Sequence, residues 1–158
     1  RRVLFRSPAL GGAGVVKPIR LELSCFGPFA GREEIDFESL APHGLFVVAG
    51  PTGTGKTTIF DAMTYALYGT LPGDRPIESV RSQHAGPDDE TWVAFEFEME
   101  GRRWRARRSP AWKRPKRKGT GSTEERATAS LEERVDGAWI PRASAIAEVE
   151  RQIGRGHV

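Results

Sequence analysis

A clear alternation of apolar and polar residues begins at Lys17. The apolar positions are Ile19, Leu21, Leu23 and Cys25, and the polar positions between them are Arg20, Glu22 and Ser24. This two-residue period is typical of a strand with one buried face. Ile35 and Phe37 repeat the alternation more briefly. The pattern therefore predicts a β-hairpin that turns within the sequence GPFAGRE, residues 27–33.

The next apolar segment, Leu45 to Ala49, does not alternate, which is typical of a central strand covered on both faces. Further along, apolar residues recur at helical spacing, namely Ile59, Phe60, Met63, Ala66 and Leu67. Gly69 follows, where the end of a helix favours a residue that tolerates positive φ. The predicted order is thus strand, glycine-rich segment and helix.

Between Trp92 and Val135 the pattern predicts an antiparallel β element. A two-residue turn at Glu100-Gly101 would place Glu98 opposite Arg103, Glu96 opposite Arg105 and Phe97 opposite Trp104. We expect these arginines to pair with glutamates across the strands and Trp104 to lie in the core. A further strand is predicted from the alternation of Ala129, Leu131, Glu133 and Val135, ending at Asp136-Gly137. A short amphipathic helix is predicted from Ile146, Val149 and Ile153.

The composition limits the function classes. A chain of 158 residues has room for one domain with a sizeable core. The single cysteine, Cys25, and three histidines argue against an internal disulfide and against a structural metal cluster. No apolar run approaches the roughly 20 residues that span a bilayer. We therefore expect a cytoplasmic protein without membrane association.

Residues 1–16 show neither a helical nor a strand period. Within them, Leu4-Phe5-Arg6-Ser7 is what the common sequencing-adapter string CTCTTCCGATCT encodes. Two interpretations follow, an artefact of sequence assembly or a flexible native arm. Under both, the domain comprises residues 17–158.

The sequence GPTGTGKTT, residues 50–58, joins the predicted strand to the predicted helix and fits the pattern G-x-x-x-x-G-K-[ST]. We expect Gly50, Gly53 and Gly55 to adopt backbone conformations closed to other residues. Such conformations turn several N–H groups toward one concave surface that suits phosphate oxygens. A helix that begins near Lys56 adds its positive end to the same place. The alternative, a glycine-rich turn without a ligand, is disfavoured by the strand before it and the helix after it.

Three side chains complete the predicted phosphate site. Lys56 would reach the β- and γ-phosphates, Thr57 would offer its hydroxyl to Mg²⁺, and Thr58 would donate to the α-phosphate. The predicted cofactors are therefore ATP and Mg²⁺. The predicted nucleotide-binding residues are Gly50, Pro51, Thr52, Gly53, Thr54, Gly55, Lys56, Thr57 and Thr58.

Positive charge is concentrated in one segment. Residues Arg102 to Lys118 contain ten Lys or Arg and no acid, so the chain's 24 basic and 21 acidic residues leave 14 against 21 elsewhere, a net charge of −7. Such segregation, with tryptophans interleaved, suggests nucleic-acid binding. The glutamates of the predicted hairpin, Glu96 and Glu98, are expected to neutralise the arginines near Trp104. The remaining cations lie in KRPKRK, residues 113–118, which we expect to be a loop without nearby acids.

Two interpretations of this loop stay open. It contacts the DNA backbone without sequence preference, or it is merely solvated. The candidate DNA-binding residues are Lys113, Arg114, Lys116, Arg117 and Lys118.

Three motifs occur together in one order: FGPFAG at residues 26–31, the glycine-rich loop with its helix end ALYG at residues 66–69, and the arginine-rich hairpin. With these motifs, the sequence from Lys17 to Ile153 resembles the N-terminal part of the SbcC family. Members of that family are SMC-like, ABC-type ATPases and form the ATPase subunit of the bacterial SbcCD nuclease. The resemblance implies an α/β P-loop NTPase fold. It corresponds to the N-terminal half-lobe of an ABC-type head, with a mixed sheet around Leu45 to Ala49 and an antiparallel β element.

In this family two heads enclose two ATP molecules, and head closure regulates the access of DNA to the nuclease. The resemblance therefore implies four partners: duplex DNA, an SbcD-like nuclease protein, the C-terminal half of the same head, and a second head in a homodimer. It also implies a cytoplasmic, nucleoid-associated location.

Other family motifs are not found in this sequence. No run of four aliphatic residues is followed by Asp-Glu, and the signature motif and switch histidine are also lacking. We expect a half-lobe that stops before the Q-loop and the coiled coil, and that binds ATP without hydrolysing it. The alternatives are another SMC-like or RecF-like repair ATPase, or a non-enzymatic DNA-binding module with a vestigial P-loop.

Overall fold

The computed structural model describes residues 16–40, 49–73, 75–116 and 119–155. The strands are β1 (Lys17–Ser24), β2 (Arg32–Asp36), β3 (Trp92–Met99), β4 (Arg102–Ser109), β5 (Trp112–Pro115), β6 (Ser122–Glu125), β7 (Thr128–Val135) and β8 (Ala138–Ala143). The helices are α1 (Phe37–Leu40), α2 (Lys56–Tyr68) and α3 (Ile146–Arg155), with a 3-10 helix at Ile77–Val80.

Among the described residues, six strands form one sheet in the order β2-β1-β3-β4-β7-β8, and the pairs between these strands are antiparallel. Strand β1 lies inside the sheet, where Leu21 is opposite Ile35 of β2 and Phe95 of β3. Strands β5 and β6 form a separate two-stranded hairpin.

Helices α2 and α3 cover one face of the sheet. Helix α2 contacts β3 and β4, and α3 contacts β7, β8 and α2. The core between these layers takes every second residue of the strands, because alternate side chains of a strand point to the same face. It includes Leu21, Leu23, Val93, Phe95, Phe97, Ala106 and Leu131, together with Ala62, Ala66 and Val149 of the helices.

The structure confirms most of the predicted local elements. Strands β1 and β2 form the predicted hairpin, and α2 ends at Gly69 with φ 70°. The predicted two-residue turn at Glu100-Gly101 has positive φ at both central residues, 54° and 72°. Asp136-Gly137, where only the end of a strand was predicted, has the same kind of turn, with φ 50° and 82°. Positive φ at both central residues defines a type I′ turn, whose twist matches that of antiparallel strands. The registers follow, with Phe97 opposite Trp104 and Trp104 buried.

Three features differ from the expectations. Phe37 begins helix α1 instead of continuing β2, and Asp36 accepts a hydrogen bond from the Ser39 amide there. The predicted antiparallel element is present as β3, β4 and β7, and it continues the sheet of β1 and β2, a connection that the sequence pattern did not predict. Strand β8 was not predicted, because its burial does not alternate and its pairing with β7 is irregular beside Leu131.

Two predictions fall largely outside the described residues. Of the predicted strand Leu45 to Ala49, only Ala49 is described, and it has no regular secondary structure. Of residues 1–16, only Val16 is described, and it packs against the core. The mixed sheet and the leader therefore stay predictions. No helix in the described part of the chain is long and apolar enough to cross a membrane.

Candidate nucleotide-binding loop and basic hairpin

The glycine-rich loop leads directly into helix α2. Gly53 and Gly55 have left-handed φ values of 88° and 83°, as the sequence predicts. Gly55 is the N-cap of α2, no side chain in the described part of the chain caps the helix there, and the first turn contains no acidic residue. The first amides of a helix have no partner within it, and they carry the positive end of its dipole. The start of α2 is therefore well suited to bind an anion.

The structure corrects the role predicted for Gly50. This residue is not among the glycines with positive φ. A Cβ atom at Gly50 would lie 3.0 Å from Thr54 Oγ1, which is closer than ordinary van der Waals contact. Thr54 in turn donates to the Pro51 carbonyl oxygen over 2.8 Å. A side chain at Gly50 would therefore require Thr54 Oγ1 to move by a few tenths of an ångström, and the backbone conformation of Gly50 does not demand glycine.

The Lys56 ammonium group lies within the loop. Its Nζ atom donates to the carbonyl oxygens of Gly50, at 2.5 Å, and of Pro51. It also lies 3.4 Å from Thr54 Oγ1. Although Lys56 is the first residue of α2, its side chain folds back over the preceding residues. The positive charge of Lys56 therefore lies beside the start of α2, so that the ammonium group and the positive end of the helix dipole act on the same region.

The two threonines after Lys56 differ in their surroundings. Thr57 is exposed, so its hydroxyl is accessible to a metal ion. Thr58 is half-buried, and its side chain lies against the Gly27 backbone. The backbone amides, the Lys56 cation and the Thr57 hydroxyl together fit the phosphates and Mg²⁺ of a bound nucleotide. Lys56 and the amides would hold the phosphates, and Thr57 would hold the metal.

Strands β5 and β6 form a hairpin, here called the basic hairpin, where a loop was predicted for residues 113–118. Lys113 and Arg114 lie in strand β5, which pairs with β6 so that Lys113 is opposite Glu124 and Arg114 opposite Thr123. Arg114 also forms an ion pair with Glu125. The expectation of five cations without nearby acids was therefore wrong, because β6 brings two glutamates beside them. Lys116 lies beyond the strand, is exposed, and has no ion pair with any described residue. Arg117 and Lys118 lie outside the described residues.

The arginines of β4 pair with carboxylates, mostly on strands other than the predicted one. Arg102 binds Glu133 and Arg105 binds Glu132, both on β7, at 2.6 Å and 2.7 Å. Arg103 binds Glu96 of β3 at 3.1 Å, although Arg105 is the residue directly opposite Glu96. The long arginine side chain reaches diagonal neighbours and the flanking strand. These charges are therefore largely neutralised within the sheet.

Sequence analysis missed the role of Arg108. This buried arginine donates to the carbonyl oxygens of Ala66 and Leu67 at 3.0 Å and 3.3 Å, so it caps the last turn of α2. Burial lowers the pKa of Arg108, and nearby Glu150 of α3 partly offsets this shift. The available clue was the strand period, which places Arg108 on the same face as Trp104 and Ala106.

Comparisons with known proteins assign the chain to a family. The chain belongs to the AAA domain family, which matches residues 20–144. It is 47% identical over 116 residues to the SbcC protein of the SbcCD nuclease of Lactococcus lactis, covering 73% of this chain and 11% of the relative. The corresponding protein of Vibrio cholerae is 45% identical over 117 residues, covering 73% of this chain and 12% of the relative. The corresponding protein of Staphylococcus aureus is 39% identical over 132 residues, covering 83% of this chain and 13% of the relative.

The resemblance to the SbcC family is therefore confirmed. The chain spans about a tenth of the length of these relatives. Its architecture is mixed α/β with an antiparallel sheet. The AAA domain family to which it belongs is one of P-loop NTPases.

Proposed function

We propose that this chain is the ATP-binding N-terminal half of an ABC-type head in an SbcC-like ATPase. The observation that carries the proposal is the start of helix α2. There, left-handed Gly55, the uncapped helix amides and the Lys56 ammonium group converge on one region. This arrangement supplies the positive groups that bind the phosphates of ATP. Thr57 supplies a hydroxyl ligand for Mg²⁺.

The proposal extends to the whole protein. In it, ATP binding brings two heads together, each completed by its C-terminal half, and head closure gates the access of duplex DNA to an SbcD-like nuclease. The similarity to proteins named as parts of the SbcCD nuclease supports this assignment. Exposed Lys116 and its neighbours in sequence would contribute contacts to the DNA backbone that do not depend on sequence. This role is consistent with a cytoplasmic, nucleoid-associated location.

The nucleotide assignment is tested by removing the Lys56 cation. We expect Lys56→Ala to weaken Mg-ATP binding by about 1.5–3 kcal/mol, the range for a hydrogen bond to a charged group. Isothermal titration calorimetry measures the affinity. Lys17→Ala is the matched control, since it removes one exposed cation from β1 without touching the loop. Equal affinity of the unsubstituted chain and Lys56→Ala would contradict the assignment. Absence of binding in all three proteins would favour a DNA-binding module with a vestigial loop.

A further inference from the structure

The turn between β1 and β2 packs against the nucleotide loop. A Cβ atom at Gly55 would lie 2.6 Å from Phe29 Cζ, 3.1 Å from Phe29 Cε2 and 3.4 Å from Pro28 Cγ. The first of these distances is shorter than real Cβ contacts, so the Phe29 ring lies directly on the Gly55 backbone. The FGPFAG motif that contains this turn has no role in the function proposed above.

A second contact lies on the other side of Lys56. A Cβ atom at Gly27, which has φ 58°, would lie 2.6 Å from Thr58 Cγ2. The turn therefore contacts both the last glycine of the loop and the first turn of α2. These two contacts flank the residue that carries the positive charge.

The turn is itself fixed to the rest of the domain. The Gly27 amide donates to the Val80 carbonyl oxygen over 2.7 Å, and the Phe29 amide donates to the Phe26 carbonyl oxygen over 3.1 Å. Phe26 is fully buried and lies 6.0 Å from the Tyr65 ring of α2, measured between ring centroids. Phe29 thus extends to the loop from a turn that is held by backbone hydrogen bonds and by the buried Phe26 side chain.

Gly55 needs such a support because glycine has more backbone freedom than any other residue. The phosphate-binding amides point in one direction only while Gly55 keeps its left-handed conformation at φ 83°. A loop that visits other conformations binds its ligand more weakly in proportion to the time spent in them.

We propose that Phe29 is a positioning residue for nucleotide binding. Its ring packs on Gly55 and restricts the loop to the conformation that presents the amides of α2 to phosphate. Phe29 acts through Gly55 and not by contact with the reacting groups. This inference rests on the proposed ATP-binding function.

The test uses Mg-ATP titration calorimetry and thermal unfolding on the same set of variants. We expect Phe29→Ala to weaken Mg-ATP binding about tenfold, because the loop is no longer restricted. Phe29→Leu retains an apolar side chain over Gly55, so its affinity should stay within about threefold of the unsubstituted chain. Leu131→Val is the control for general destabilisation, since Leu131 is buried in β7, three strands along the sheet from β1. It should lower the melting temperature and leave the affinity unchanged.

A double substitution tests the contact itself. Gly55→Ala should weaken binding at least as much as Phe29→Ala, because its methyl group collides with the ring and the φ value is strained. Adding Phe29→Ala makes room for that methyl group. The fold-loss of affinity in the double variant should therefore be smaller than the product of the fold-losses in the two single variants.

The outcomes separate the two proposals. If the unsubstituted chain binds Mg-ATP and Lys56→Ala weakens it, but Phe29→Ala binds normally, the positioning role is wrong and the function stands. Fully multiplicative losses in the double variant would also overturn the positioning role. If the unsubstituted chain does not bind Mg-ATP, both proposals fail.

Discussion

At the scale of single residues, tertiary contacts determine the ion pairs and the pKa values of the charged side chains. Glu133 is buried on β7 and accepts from Arg102 at 2.6 Å and from Arg142 at 2.8 Å. The hydrogen bond from Arg102 is the largest cause that lowers the pKa of Glu133 from its ordinary value of 4.5. A glutamate flanked by two cations is thus stabilised in its ionised form.

This shift predicts a pH dependence of stability. Because the pKa of Glu133 is lower in the folded than in the unfolded chain, its stabilisation is complete above pH 4.5 and is lost as the pH falls through the folded value. We expect Glu133→Gln to reduce the melting temperature at neutral pH and to differ progressively less below pH 4.5. Thermal unfolding between neutral and acidic pH measures this difference. Glu33→Gln, at an exposed position on β2, is the control. A difference that does not depend on pH would contradict the ionic role of Glu133.

At the scale of elements, helix α2 is fixed at its C-terminal end by a close packing contact. A Cβ atom at Gly69 would lie 2.8 Å from Arg108 Nη1, and the buried guanidinium group is held by the α2 carbonyl oxygens. Gly69 is therefore needed both for its φ of 70° and for the space around it.

We expect Gly69→Ala to destabilise the fold more than Gly73→Ala. Both glycines have left-handed φ values, 70° and 73°, but a Cβ atom at Gly73 would meet no atom of the described residues within 4 Å. The shared conformational strain costs about 1–2 kcal/mol, and overpacking against Arg108 adds about 1–3 kcal/mol to the Gly69 variant. Urea unfolding of the two variants measures the difference. Equal losses would show that Arg108 moves aside.

The basic hairpin is the other element whose available charge depends on its neighbours. Because Arg114 is paired with Glu125, the candidate contacts with DNA shift to Lys116 and the two cations that follow it in sequence. If these three cations follow the DNA backbone, replacing Lys116, Arg117 and Lys118 by Ala should reduce the salt slope of duplex binding by nearly three, at about 0.9 per phosphate contact.

Fluorescence anisotropy over a salt series measures that slope. The matched control replaces three exposed cations elsewhere, Lys17, Arg134 and Arg151, so that the net charge is the same. An unchanged slope in the hairpin variant would identify the segment as merely solvated.

At the scale of the whole molecule, nucleotide binding and hydrolysis make different demands. A P-loop positions phosphates and metal, but phosphoryl transfer also needs a carboxylate near Mg²⁺ and a group that orients the attacking water. This sequence contains no four-aliphatic run followed by Asp-Glu. Each lost electrostatic element costs on the order of 10²–10³ in rate.

We therefore expect this chain by itself to bind ATP with turnover near background. A phosphate-release assay on the purified chain measures the rate, with Lys56→Ala as the control for contaminating ATPases. Robust turnover that disappears in Lys56→Ala would show that the chain contains a catalytic carboxylate outside the expected motif.

The sequence by itself determined the features that depend on short-range geometry. The hairpin turn at Glu100-Gly101, the end of a strand at Asp136-Gly137, and the span of α2 with its end at Gly69 were all predicted. Each follows from the period of apolar residues or from the φ values that a turn requires, and both are local properties of the chain.

Only the tertiary structure decided which distant groups meet. It placed the two β regions in one sheet, gave Arg102 and Arg105 partners on β7, and brought Phe29 onto Gly55. The concentrated charge of residues 102–118 is apparent in the sequence, yet much of it is neutralised by glutamates from other strands. Periodicity specifies which face a side chain occupies, but strand order and helix placement specify what lies across from it. The sequence therefore determined the glycine-rich motif and the helix that follows it, and the packing of the chain decided what supports that motif and how much of the positive charge is paired with glutamates.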